Sequence, residues 1–262
     1  MRYGVTNFPV RPVIAEIDSL GNLEMDYLEL SMDSPMAHHQ LIIKHKADIL
    51  KAIRRRKMGL ICHLPTFVYM AHLTESIRNV SIQEVIEALE IAVDLGAEKA
   101  VLHPGYIDGL AVHMPDYALA LAMEAIEKVW IRAAQLGILL CIENLFPRLG
   151  PFCHPDDFKA IFAAFPNIKL VLDVGHANIG DKTGTRVIDF IHCYKDRLGH
   201  LHISDNNGIH DEHLPLGQGN INFQTVGHAL SSIGYNDTVT LEIFSQDRSI
   251  LTHCRTKFEA FL

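Results

Sequence analysis

Histidines and carboxylic acids end six consecutive apolar segments of this sequence. These residues are His63, His103, Glu143, Asp173, His202 and Glu242. Imidazoles and carboxylates are the side chains that most often transfer protons and bind transition-metal ions. One such residue is explained equally well as a hydrogen-bonded position at a strand end, but six in succession indicate a shared site.

Three of the six side chains are acids, and their charges need compensation if the segment ends converge. A buried charge persists only when it is paired or coordinates a metal, and no lysine or arginine accompanies Glu143, Asp173 or Glu242 at these ends. A divalent cation removes the repulsion among the three carboxylates. Mixed carboxylate and imidazole ligands suit Zn²⁺, Mn²⁺, Fe²⁺ or Co²⁺ rather than Ca²⁺.

The segments that carry these residues alternate with amphipathic stretches along the whole chain. Eight apolar runs predict strands at 2–6, 26–31, 58–63, 99–103, 137–143, 168–174, 198–204 and 238–244. Several runs are apolar on both faces, as in parallel strands covered by helices. Helical spacing predicts helices at 81–95, 115–136, 155–165, 185–197, 223–233 and 246–262. We expect Ser81 to cap the first of these, with Glu84 completing a capping box.

Repeated strand–helix units predict an α/β protein of the (β/α)₈ TIM barrel type. No glycine-rich phosphate loop follows the first apolar run, which argues against an open dinucleotide-binding sheet. The 262 residues match the usual size of one such barrel, so residues 1–262 are predicted to form a single domain. In this fold the strand ends meet at the face where active sites lie.

Composition narrows the class of protein further. The formal net charge of −8 argues against nucleic acid as a default partner. The five cysteines form no Cys-x-x-Cys pair, the N-terminus lacks a signal-peptide pattern, and no apolar run is long enough to span a bilayer. We therefore expect a soluble cytoplasmic protein without a membrane partner. Among the 16 histidines, His38, His39 and His45 are expected to be solvated beside a helix.

Short motifs at the segment ends resemble those of the xylose isomerase-like TIM barrel superfamily, which includes sugar isomerases and epimerases, inosose dehydratases and endonuclease IV. The motifs are Val-Leu-His-Pro-Gly, Cys-Ile-Glu-Asn, Leu-Asp-Val-Gly-His-Ala-Asn, His-Leu-His-Ile-Ser-Asp-Asn and Leu-Pro-Leu-Gly-Gln-Gly-Asn-Ile. The resemblance covers essentially the whole chain. Dimers and tetramers are common among barrels of this kind, so a homo-oligomer is possible.

The resemblance implies which residues bind metal. In the sugar-epimerase branch one metal ion is held at positions matching Glu143, Asp173, His202 and Glu242, and His176 matches a substrate-binding histidine. In the endonuclease IV branch a cluster of three metals adds positions that match His63, His103, His176, Asp211 and His213. The sequence therefore permits one to three divalent metals, and we expect one.

The first functional interpretation is an isomerase or epimerase of a sugar or sugar phosphate. Glu143 and Glu242 would serve as catalytic base and acid on a metal-chelated polyol or ketose. The residues expected to contact this substrate are His63, His103, His176 and Arg148. Ketose 3-epimerases resemble this layout but carry an arginine shortly after the seventh-strand histidine, where this chain has Asn206-Asn207-Gly208. Another sugar, or a dehydratase reaction of the inosose type, therefore stays open.

The alternative is a metal-dependent phosphodiesterase that acts on abasic-site DNA or on a small phosphate ester. A DNA enzyme needs lysines and arginines along the backbone track, but the segment 205–222 contains neither. The basic run 54–57 is predicted to lie at the opposite end of the barrel, where its charges complement a helix C-terminus. Nucleic acid is therefore not the favoured partner. A metal-binding barrel without catalysis is the third class.

Overall fold

Eight parallel strands close into a barrel whose strand order follows the chain from β1 to β8. The computed structural model describes residues 1–107 and 109–262. The strands are β1 Arg2–Thr6, β2 Tyr27–Ser31, β3 Gly59–His63, β4 Lys99–Leu102, β5 Leu139–Glu143, β6 Lys169–Asp173, β7 Leu198–Ile203 and β8 Thr238–Leu241. Pairing of β1 with β8 completes the ring. The predicted (β/α)₈ TIM barrel is confirmed.

Helices cover the outside of the barrel between successive strands. They are α1 Val13–Leu20, α2 His39–Lys44, α3 Lys46–Arg56, α4 Glu75–Asp94, α5 Pro115–Leu136, α6 Lys159–Ala164, α7 Val174–Asn178, α8 Arg186–Cys193, α9 Phe223–Ser232 and α10 Ser249–Glu259. Short 3₁₀ turns at Gly109–His113 and Pro155–Phe158 precede α5 and α6. No helix within the described residues is long and apolar enough to cross a membrane.

Two apolar layers hold these elements together. The inner layer fills the barrel and consists of Tyr27, Ile61, Val101, Cys141 and Val171. The outer and larger layer lies between the strands and the apolar faces of the helices. Gly4 makes room for the Tyr27 ring, because a Cβ atom there would lie 2.1 Å from a ring carbon.

A buried lysine occupies the end of the barrel opposite the strand C-termini. The Lys99 ammonium donates hydrogen bonds to the Gly199 carbonyl at 2.6 Å, to Asp237 Oδ1 at 2.6 Å and to the Thr238 hydroxyl at 2.9 Å. These three acceptors offset the cost of burying its charge. The N-terminal end of the barrel interior is therefore closed by polar contacts.

The helix predicted at 81–95 begins earlier than its sequence pattern indicates. Helix α4 starts at Glu75, so Ser81 lies inside it and is not its N-cap. The Ser81 hydroxyl instead accepts a hydrogen bond from the Tyr69 backbone N–H. The Ser81 side chain, which the capping-box pattern assigned to the helix end, therefore contacts the preceding loop instead.

Candidate metal centre

Four of the predicted ligands converge at the C-terminal ends of neighbouring strands. Glu143 ends β5, Asp173 ends β6, His202 lies in β7 and Glu242 follows β8. Each offers one ligand atom, and these atoms all lie within 4.8 Å of one another. His202 Nδ1 lies 3.5 Å from Glu143 Oε1, 3.8 Å from Asp173 Oδ2 and 3.3 Å from Glu242 Oε2. Ligand atoms about 2.1 Å from a shared ion have separations of this order.

Two of these atoms are buried without a hydrogen-bond partner, namely Asp173 Oδ2 and His202 Nδ1. Asp173 uses its other oxygen to cap α7 by accepting from the His176 N–H at 2.6 Å. Such an unpaired buried polar atom costs free energy unless something else binds it. Within the described part of the chain the ion pairs of Glu143, Asp173 and Glu242 are all with histidines. The donor set therefore fits a divalent transition-metal ion.

Protons balance the charges of these groups in the protein without metal. Burial favours the neutral acid, but His202 and other neighbouring imidazoles hold the pKa of Glu143 well below its ordinary value and also lower that of Glu242. Burial raises the pKa of Asp173 to about 7. Burial disfavours a charged His202, yet Glu29 and Glu143 raise its pKa well above the ordinary value. Metal binding must displace such protons.

A second group of predicted ligands contacts Glu143 from the β3 and β4 ends. His63 Nε2 and His103 Nε2 each lie 3.2 Å from Glu143 Oε2. His63 Nδ1 lies 2.9 Å from the Leu64 carbonyl, which orients the ring with Nε2 toward Glu143. Burial opposes its protonation, but the hydrogen bond with Glu143 raises the pKa of His63 to about 9. Burial lowers the pKa of His103.

The remaining predicted ligands form a third group above α7. Asp211 Oδ2 lies 3.3 Å from His176 Nε2 and 3.0 Å from His213 Nε2. The Nδ1 atoms of these histidines face the backbone carbonyls of Asn144 and Glu242, both at 2.9 Å. Asp211 Oδ1 is buried without a partner. All nine residues of the sequence-derived set thus lie in three adjoining groups: His63 and His103 contact the first group through Glu143, and the third contacts it through His176 and His213.

One buried carboxylate of this region was missed in the sequence. Glu29, in β2, is 1 % exposed and lies 2.9 Å from His202 Nε2 and 2.8 Å from His200 Nε2. The Thr240 hydroxyl donates a further hydrogen bond to it. Glu29 therefore accepts a hydrogen bond from the Nε2–H of His202, which leaves Nδ1 of that ring available to a metal ion. A single acid in the middle of the apolar run Tyr-Leu-Glu-Leu-Ser was the available signal.

A cavity of about 590 Å³ opens above these groups. Its walls are aromatic and its floor is polar: the rings are Phe8, Phe67, Tyr69, Tyr106, Phe146 and Phe244, and the floor includes Glu143, His176 and Glu242. The buried carboxylate of Asp33 also faces the cavity and was not predicted. Among the described lining residues Arg148 alone is an arginine or lysine. The size suits a small-molecule ligand.

The closed barrel and the ligand sets at its strand ends agree with a known family. The family model described as "Xylose isomerase-like TIM barrel" matches residues 16–257. The chain belongs to this xylose isomerase-like family. The resemblance inferred from the strand-end motifs is thereby confirmed.

Proteins with several different names are similar to this chain. An uncharacterized protein of Methanocaldococcus jannaschii, MJ1614, is 32 % identical over 237 residues, which span 88 % of this chain and 87 % of that protein. A probable endonuclease 4 of Mycobacterium leprae is 23 % identical over 84 % of this chain and 88 % of its own length. A crystal structure of a D-tagatose 3-epimerase-like protein superposes with a TM-score of 0.87 at 24 % identity, covering 100 % of this chain and 97 % of the other. This structural likeness supports the fold.

Proposed function

We propose that this protein is a divalent-metal-dependent isomerase or epimerase that acts on a sugar, sugar phosphate or related polyol. The observation that carries the proposal is the convergence of Glu143, Asp173, His202 and Glu242, with two buried ligand atoms that lack partners. The cavity above them has the size of a small-molecule site. The name of the D-tagatose 3-epimerase-like structure points to the same class of substrate.

The metal, which we propose to be Zn²⁺, Mn²⁺, Co²⁺ or Fe²⁺, would be held by these four residues. When bound, such an ion polarises substrate oxygens and acidifies the adjacent C–H bond. Glu143 and Glu242 approach from the ends of different strands, β5 and β8, and neighbouring histidines keep both ionised. One carboxylate would remove a proton from carbon, and the other would return it on the other side.

Other residues of the cavity would orient the substrate. We assign His176, His63 and His103 to its hydroxyl groups, because all three imidazoles line the cavity beside Glu143. Arg148 would bind an anionic substituent such as a phosphate or carboxylate. Within this class of sugar substrates, 3-epimerisation of a free ketose is the less favoured reaction. Asn206 is fully buried, and its amide donates to the Gly175 carbonyl rather than standing in for the arginine of ketose 3-epimerases.

Solvent exchange tests this proposal directly. The metal-loaded protein is incubated in D₂O with a panel of ketoses, aldoses, inososes and their phosphates, and deuterium bound to carbon is measured by mass spectrometry. We expect incorporation into at least one substrate, and none with Glu143→Gln. Glu90→Gln, on the outer helix α4, is the matched control and should retain full exchange. Absence of exchange across the whole panel would overturn the proposal.

A metal-dependent phosphodiesterase is the second candidate, and one observation favours it. All nine residues that match the three-metal cluster of endonuclease IV lie in the three adjoining groups described above. Against it, Arg148 is the single arginine or lysine among the described cavity-lining residues. In the basic run 54–57, Arg55 and Arg56 pair with Asp18 of α1, away from the cavity. Three bound metals together with nicking of abasic-site DNA would favour this candidate over the first.

A further inference from the structure

A cluster of imidazoles and carboxylates lies outside the barrel, where α2 packs against α4. His38 Nε2 and His39 Nε2 approach the same oxygen, Glu84 Oε2, at 3.0 and 2.8 Å. Glu87 Oε2, one helical turn further along α4, lies 3.8 Å from His39 Nε2. The expectation that His38 and His39 are solvated was therefore wrong. The His39 side chain is only 2 % exposed and that of His38 is 25 % exposed.

One backbone hydrogen bond and the burial of His39 hold the two imidazoles in place before any ligand binds. His38 precedes the first residue of α2, and its Nδ1 accepts a hydrogen bond from the Gln40 N–H, which turns Nε2 toward α4. The centroids of the two imidazole rings lie 4.1 Å apart. Glu84 and Glu87 are separated by three residues on one helix, so their carboxylates face the same side. The two imidazoles therefore have little rotamer freedom left to lose on binding, whereas Glu87, which is 41 % exposed and accepts from Gln83, must turn toward them.

We propose that His38, His39 and Glu84, with Glu87 as fourth ligand, form a separate site for a divalent transition-metal ion such as Zn²⁺. One ligand atom from each of the first three residues already lies within 4.8 Å of the others. Two imidazoles and two carboxylates make up a four-coordinate nitrogen and oxygen set, and the carboxylates neutralise the ion's charge. This site is independent of the proposed isomerase chemistry in the barrel.

The present contacts require only small changes to admit an ion. Ligand atoms around tetrahedral zinc lie about 3.3 Å apart for bonds of about 2.0 to 2.1 Å. The two imidazole–Glu84 contacts must therefore open by a few tenths of an ångström. The ion replaces the two Nε2 protons that now share one oxygen, and these protons pass to solvent. It also draws in Glu87, which is too far from His39 for a hydrogen bond in this arrangement.

The position of the cluster suggests what the ion would do. His38 follows the segment that contains Asp33 and Ser34, which line the cavity. On the other side, Ser81 of α4 accepts a hydrogen bond from Tyr69, another cavity residue. A metal between α2 and α4 would tie together two walls of the cavity without touching the substrate. Its role would be structural.

Metal stoichiometry tests the site. Wild-type protein, Glu84→Gln and His38→Gln are saturated with Zn²⁺, dialysed to remove weakly bound ions and analysed by atomic absorption. We expect each variant to retain one Zn²⁺ fewer per chain than wild type. Glu90→Gln is the matched control on the same helix, because Glu90 pairs with Arg132 and has no histidine ion pair among those described. It should match wild type.

Equal zinc content in all four proteins would overturn the proposal, and the cluster would then only join α2 to α4 by hydrogen bonds.

A measurement on the unchanged protein guards against variants that misfold. When metal-free protein is saturated with Co²⁺, the paramagnetically shifted proton resonances should include those of two imidazoles, His38 and His39, in addition to those from the barrel. Absence of those resonances at saturating Co²⁺ would also refute the site. Exchange of substrate protons with solvent should persist in both variants once the barrel metal is supplied.

Discussion

Replacing Glu29 by glutamine tests whether the buried carboxylate of β2 prepares His202 for a metal ion. The substitution keeps the shape of the side chain and removes its charge. The glutamine oxygen can still accept from His202 Nε2, which lies 2.9 Å from the present carboxylate. Its NH₂ group can donate to His200 Nε2, because the His200 ring can carry its proton on Nδ1 instead. Nδ1 lies 2.7 Å from the Thr238 hydroxyl, which can accept that proton's hydrogen bond. The fold should therefore persist.

The expected loss is in metal affinity. Partners that orient a ligating histidine are typically worth 10- to 100-fold in metal affinity, or about 1.4 to 2.7 kcal/mol. We expect Glu29→Gln to lower the metal affinity by a factor within this range, because Glu29 is 1 % exposed and its charge is poorly screened. Without that charge the His202 imidazole is a weaker donor to the ion.

Competition titration with a chromophoric chelator measures the dissociation constant of Zn²⁺ at the barrel site. The matched control is Asp33→Asn, a second buried carboxylate at the same mouth that accepts from the Thr66 N–H and the Ser31 hydroxyl. We expect the control to stay within about threefold of wild type. A Glu29→Gln dissociation constant within the same threefold would refute the role assigned to Glu29.

Three further predictions concern charge, substrate and packing. In metal-free protein the pKa values of His63 and His213, each about 9, exceed the ordinary 6.5. These groups therefore stabilise the fold fully below pH 6.5 and cease to do so as the pH rises through 9, and urea unfolding at a series of pH values should show this decline. Arg148→Met should raise the KM of an anionic sugar roughly fivefold, the effect of about 1 kcal/mol for an exposed charge pair, and leave a neutral polyol unaffected in the same steady-state assay. Gly4→Ala should lower the free energy of unfolding by about 1 to 3 kcal/mol through overpacking against Tyr27, and an unchanged urea midpoint would contradict the packing described for the barrel interior.

The sequence predicted the strands well because their signal is local. Each strand is a short apolar run, and the structure places all eight within the predicted segments, with shorter ends at several. The helix at 115–136 was predicted to the residue, since Pro115 and Gly137 mark its ends. The start of helix α4 was not predicted correctly. Ser81 and Glu84 form a capping-box pattern in the sequence, but the contacts that decide where the helix starts lie in another loop.

The residues missed at the site depend on contacts distant in sequence. Glu29 becomes meaningful only when closure of the barrel brings it beside His202, 173 positions later. His39 looked like a solvated residue, because nothing near it in sequence reveals that Glu84 of another helix covers it. The metal-ligating candidates were easier to find, since each stands at the end of its own strand and the barrel topology alone brings strand ends together.

The buried Lys99 at the N-terminal end of the barrel restricts access to the cavity to the opposite end. With Lys99 held by Gly199, Asp237 and Thr238, ligands reach the described cavity from the opposite end. Substrate and product must then enter and leave through the same opening, so each blocks the other while it occupies that opening. An anchor attached at the N-terminal end of the barrel would leave this opening accessible. Protein immobilised by that end on a solid support should therefore turn over substrate at the same rate as the free protein.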